Sequence, residues 1–221
     1  MKPLASLKQP ANPVLIFWIA IGLVGFFAVP WYGVEDFFKF EWLIDGYPFD
    51  ADYAPAAFLL GQAEKLWLAP LILPLLAPFA VLRKRKSDPL YARVLIVAGA
   101  IGLGWIILQG FSIGIRGWNF GWLQVFFVDI NDRQYGMGYG GMLVAVAFLF
   151  LFTQGVAARG AINGDVFVVS SISGSVVIVT IFVFFPIAKM LSAAFISDGG
   201  GYSLSVFASK FFDDRRWGLG C

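Results

Sequence analysis

Histidine is absent from this 221-residue chain, and cysteine occurs once, at the last position. Without histidine there is no axial histidine for haem, no commonest metal ligand and no usual proton shuttle. The single thiol, Cys221, has no disulfide partner and cannot build a zinc site. Charge is scarce too: 14% of residues are charged, against about 25% in a soluble domain. No Gly-x-x-x-x-Gly-Lys-Ser/Thr loop occurs, so the chain is not expected to hydrolyse nucleotide itself. The neighbouring carboxylates Glu35-Asp36 and Asp213-Asp214 specify no reaction. Asp129-Ile130-Asn131-Asp132 is rich in oxygen but lacks the spacing of a calcium loop. The expectation is a chain with no catalytic, cofactor-binding or metal-binding residues.

What is abundant is apolar sequence. Hydrophobic residues make up 59% of the chain, and mean hydropathy is +0.79. Five long apolar runs stand out, and none has an ionisable residue in its middle. A helix needs about 20 apolar residues to cross a bilayer, with a range of about 17 to 25. The runs predict spans at approximately 13–30, 64–82, 94–113, 137–153 and 166–187, in an all-α integral membrane protein. Spans and loops use the whole length, leaving no room for a soluble catalytic domain. Ionisable groups inside a span mark ion and proton pathways. Their absence argues against a self-contained proton-coupled transporter.

Charge sorts by side. Three segments, 1–12, 83–93 and 154–165, hold Lys2, Lys8, Arg83, Lys84, Arg85, Lys86, Arg93 and Arg159 against Asp88 and Asp165. Their balance is +6, and the rest of the chain carries −4. Short cytoplasmic loops are enriched in Lys and Arg, so the N-terminus is placed inside and residues 188–221 outside. Arg83-Lys84-Arg85-Lys86 reads as a topology anchor able to touch anionic lipid heads, not as a nucleic-acid site. Behind the first run, Ala28-Val29-Pro30-Trp31-Tyr32 lacks a small-x-small cleavage site, so that run reads as a retained signal anchor.

The connections carry the aromatics. Residues 30–65 interleave Glu35, Asp36, Glu41, Asp45, Asp50, Asp52 and Glu64 with Trp31, Tyr32, Phe37, Phe38, Phe40, Trp42, Tyr47, Phe49 and Tyr53. Trp and Tyr favour the headgroup level, so this connection reads as a wet loop with interfacial anchors; a partner-docking surface is the sharper alternative. Phe37, Phe38 and Phe40 to Leu43 suggest a short helix lying on the outer surface, with a turn at Asp45-Gly46-Tyr47-Pro48. The connection 116–133 reads as an interfacial aromatic segment or a short re-entrant element. Pro70, Pro74 and Pro78 predict a kinked second span packed inside a bundle. Gly99, Gly102, Gly104, Gly136, Gly138, Gly140 and Gly141 predict close helix approach. Pro186 and Lys189 mark the outer end of the fifth span. After Asp198-Gly199-Gly200-Gly201, residues 202–212 read as a helix too short to span.

The run Phe184-Phe185-Pro186-Ile187-Ala188-Lys189-Met190-Leu191-Ser192-Ala193-Ala194-Phe195 is similar to the opening of ABC-type ferric iron import permeases. Tyr202-Ser203-Leu204-Ser205-Val206-Phe207 and Trp217-Gly218-Leu219-Gly220-Cys221 resemble the outer segment of the larger members of that group. The resemblance implies a multi-pass protein of the bacterial inner membrane. Its partners would be a separate ABC ATPase and a periplasmic iron-binding protein. The chain has no Glu-Ala-Ala…Gly loop of the kind that docks such permeases on the ATPase. The expectation is therefore the N-terminal region, a fragment leading toward the first core permease unit. The alternative from another class is a non-transporting membrane scaffold or assembly subunit; a small membrane enzyme is disfavoured by the missing histidine.

Overall fold

The computed structural model describes residues 12–34, 38–44, 46–114, 117–127, 134–195 and 203–212. Among the residues named above, Lys2, Lys8, Glu35, Asp36, Phe37, Asp45, Asp129, Ile130, Asn131, Asp132, Asp198, Gly199, Gly200, Gly201, Tyr202, Asp213, Asp214, Trp217, Gly218, Leu219, Gly220 and Cys221 lie outside them. The molecule is mostly helical. It divides into two compact units, residues 1–108 with 135–174 and residues 109–134 with 175–221.

Three helices are long and apolar enough to cross a bilayer: Pro89–Ser112, Tyr139–Ala158 and Val166–Ala193. They are consistent with a membrane-embedded protein. The first two predicted spans are shorter as helices. Helix α1 covers Pro13–Phe27 and ends at Ala28, and a short helix α2 covers Ala56–Gly61. The second run is not one α-helix. It forms a 3₁₀ segment Leu66–Leu71, a short helix α3 (Ile72–Leu76) and a second 3₁₀ segment Ala77–Val81. Three prolines spaced by four remove N–H donors and clash with the carbonyls four residues back, so i→i+3 bonds take over. The expected inward packing is present on one face: Trp67, Leu68, Leu71, Pro74, Leu75, Pro78 and Val81 are buried. Leu73 on the other face is 78% exposed.

In the first unit, α1 lies against α5 (Tyr139–Ala158). Their direction follows from their ends. A two-residue strand β1 (Tyr32–Gly33), just after α1, pairs antiparallel with Gly136–Met137, just before α5. Gly140 N–H donates to Pro30 O at 2.8 Å, so the two helices are antiparallel. Lipid tails are as apolar as leucine, so contact between such helices depends on close approach and dispersion. Trp18 stacks on Phe150 with centroids 3.9 Å apart. A Cβ on Gly22 would lie 2.7 Å from Leu75 Cδ1, which fixes how closely the proline-rich segment sits on α1. Helix α4 (Pro89–Ser112) buries Tyr91, Ala92, Leu95, Ala98, Gly99 and Gly102, one helical stripe. A Cβ on Gly99 would lie 2.6 Å from Phe148 O of α5.

Caps define where these helices start. Asn12 accepts from Val14 N–H and Pro13 fills the first helical position. Asp88 accepts from Leu90 N–H at 2.8 Å, ahead of Pro89. Asp165 accepts from Phe167 N–H and Val168 N–H. A side-chain oxygen before a helix satisfies an orphan N–H, and proline is preorganised for the next position. The helix of the third predicted run therefore starts at Pro89, not at 94, and takes in Arg93.

In the second unit, Ile113–Gly114 pairs with Gly117–Trp118 in a two-stranded turn, followed by a 3₁₀ segment Gly121–Val125. Trp118 stacks on Phe127. The fifth apolar run, whose first turns belong to the first unit, stays helical beyond 187 and its Pro186. Helix α6 (Val166–Val179) passes through a π turn, Thr180–Phe184, into α7 (Phe185–Ala193). Proline cannot donate to the carbonyl four residues back, and the wider π turn just ahead of it takes up that mismatch. Leu204–Phe211 forms α8, within the expected 202–212.

Candidate functional site

The first unit has two polar ends. At one, burial pushes the Tyr32 hydroxyl up to about 12, offset in part by Trp67 Nε1–H, which donates to it at 3.2 Å. Trp105 Nε1–H donates to Trp67 O at 2.8 Å, and Lys65 Nζ stands 5.3 Å from the Trp67 ring. Tyr47 O–H donates to Ala28 O at 2.8 Å. This end collects the expected aromatic anchors, yet Phe38, Ile44 and Phe49 remain largely exposed. The expected surface helix is only a 3₁₀ turn, Glu41–Leu43.

The other end gathers the basic segments. Val14 of α1, Lys86 and Ser87 of the basic loop, Tyr91 of α4, Gln154 of α5 and Asn163 of the 158–165 connection all line one cavity of about 390 Å³. Its further walls are mostly small and apolar, Ala157, Ala158 and Val166 among them. Ligand pockets commonly run from about 300 to 1,000 Å³. Lys86 and Ser87 are exposed, and Tyr91 is buried.

Two polar side chains of α5 are buried side by side, with different fates. Thr153 Oγ1–H donates to Phe150 O and accepts from Ser170 O–H, each at 3.0 Å. Gln154 is 4% exposed, and its Nε2 has no hydrogen-bond partner among the described residues. Tyr91 Oη accepts from Asn12 Nδ2–H at 3.0 Å, which leaves the hydroxyl hydrogen to donate. The carboxylates at this end are engaged elsewhere. Asp165 caps α6, and the Leu90 N–H and then Lys84, at 3.1 Å, hold the Asp88 carboxyl below its usual range. The cavity thus presents hydrogen-bond donors and a cation.

Gln154 was placed at the first position of an inner loop by its sequence context, with the fourth span ending at 153. The helix continues to Ala158, so Gln154 is a buried helical residue. The helix-compatible run Gly155-Val156-Ala157-Ala158 was the signal for that continuation. Among the described residues, no three His, Cys, Asp or Glu side chains gather where they could hold a metal ion. No family model, curated protein or solved structure matches the chain.

Proposed function

We propose that the chain is a membrane-embedded permease component of an ABC importer for ferric iron. A separate ATPase would drive it, and a periplasmic iron-binding protein would supply it. The proposal includes five crossings of a bacterial inner membrane, with the N-terminus in the cytoplasm. The observation that carries a role within a larger assembly is the continuous helix Val166–Ala193. It is long enough to cross a bilayer and almost none of it is buried. Phe167, Val176, Phe182, Phe184 and Met190 are exposed around it, a surface suited to lipid and to further helices. Iron, the ATPase and the binding protein rest on the similarity of 184–195 to that permease group.

Five crossings are supported by the unusual second segment. Its 16 residues are mostly 3₁₀, which rises about 2.0 Å per residue instead of about 1.5 Å. The segment therefore reaches about 30 Å, the thickness of a hydrocarbon core, where a plain α-helix would reach about 24 Å. The gathering of Lys86, at the end of the basic run, with Val14 of α1 and Asn163 of the 158–165 connection supports the cytoplasmic placement.

The test is affinity purification of the tagged chain from its own membranes in mild detergent. An importer-type ATPase should co-purify and hydrolyse ATP in the eluate. Its absence, with other membrane subunits retained, would favour the scaffold reading, which the glycine-tight packing of α1 on α5 also suits.

A further inference from the structure

We propose that the cavity at the basic end binds a phosphate ester. Lys86 and Ser87 at its mouth, with Gln154 and Tyr91 behind them, would donate to the phosphate oxygens. Four observations converge. Gln154 is buried with an unpartnered Nε2, and a buried donor left unmade carries the full cost of its desolvation. Tyr91 has a hydroxyl hydrogen left to donate while Asn12 supplies its acceptor side. Lys86 brings positive charge, and the described carboxylates nearby, Asp88 and Asp165, are already engaged. The small apolar walls at Ala157, Ala158 and Val166 suit the glycerol end of a lipid better than a bare ion. Basic pockets between helices at the cytoplasmic face are a recurring way to hold anionic headgroups. The inference stands apart from the importer proposal, since it needs only the membrane-embedded unit.

The experiment uses the full chain in neutral detergent and measures lipid binding by native mass spectrometry. Phosphatidylglycerol and phosphatidylcholine are the probes, and glycerol 3-phosphate is the soluble competitor. Phosphatidylglycerol should bind about tenfold more tightly than phosphatidylcholine, and Lys86→Gln or Gln154→Met should each remove about tenfold of that affinity. Arg83→Gln removes the same charge from the same loop, but Arg83 is exposed and touches no cavity wall, so this change should leave binding within about twofold. Competition by glycerol 3-phosphate would identify a soluble ester as the ligand; its failure to compete would identify the lipid. Equal affinity for the two lipids would overturn the proposal. So would equal losses in Arg83→Gln and Lys86→Gln, which would reveal only diffuse charge attraction. If Gln154→Met does not fold, the two exposed loop variants still decide.

Discussion

Gly25 and Gly140 face each other backbone to backbone. A Cβ on Gly25 would lie 2.8 Å from Gly140 O, and a Cβ on Gly140 would lie 2.6 Å from Gly25 O. Any side chain here must push α1 and α5 apart, because the obstacle is backbone and cannot rotate away. The same helices are held by the Trp18–Phe150 stack and by the β1 pairing at their ends.

Gly140→Ala should therefore destabilise the first unit by about 1–3 kcal/mol, the usual cost of overpacking. Gly104→Ala is the control, since a Cβ there meets nothing within 4 Å. It should be neutral or stabilising by up to about 1 kcal/mol, as expected for replacing glycine in a helix. Denaturation midpoints of the two variants in detergent micelles check the contrast.

The Tyr32 hydroxyl should ionise near pH 12, not near 10. Absorbance titration of the wild-type chain minus Tyr32→Phe isolates it. The neutral form is the one favoured on folding. The stability tied to it is complete below pH 10 and is lost as pH rises from about 10 through 12. A difference curve centred near 10 would contradict the desolvation of this hydroxyl.

Asp88 behaves in the opposite sense. Its folded carboxyl lies below the ordinary range because Leu90 N–H and Lys84 favour the anion. Its contribution is present above that range and disappears as pH falls through the lowered value. Asp88→Asn should speed amide hydrogen exchange in the first turn of α4 at neutral pH. The difference from wild type should fade in acid.

Much of this was legible in sequence where covalent chemistry dictates the outcome. The three prolines of the second run announced a distorted, packed segment, and one face of it is indeed buried. The glycines announced close approach, and Gly99, Gly102 and Gly140 provide it, while Gly104 and Gly136 face open space. Helix ends were less legible because the apolar runs were bounded by charge instead of by caps. Asp88-Pro89 is a strong start signal, and it outranks the presence of Arg93 inside the helix. The charged Arg93 lies about one turn from the helix start and is exposed, so its head can extend toward water. Pro186 was read as an end, yet the helix absorbs it with a π turn, in which Thr180 O–H also donates to Val176 O at 2.7 Å. No local pattern distinguishes a proline that stops a helix from one that is accommodated. The cavity was invisible for another reason. Its residues come from three stretches far apart in sequence, at 14, 86–91 and 154–166, and only packing brings Gln154 to Tyr91 and Lys86.

The side of the membrane on which each connection lies tests the account most directly. Single cysteines at Gly61 and at Arg85, in a chain carrying Cys221→Ser, flank the stretched segment Leu66–Val81. Both positions are exposed. In spheroplasts, a membrane-impermeant maleimide should label Gly61→Cys at once and Arg85→Cys only after permeabilisation. Labelling of both positions from the same side would mean that the segment does not cross. The five-span arrangement, with its basic end in the cytoplasm, would then be wrong.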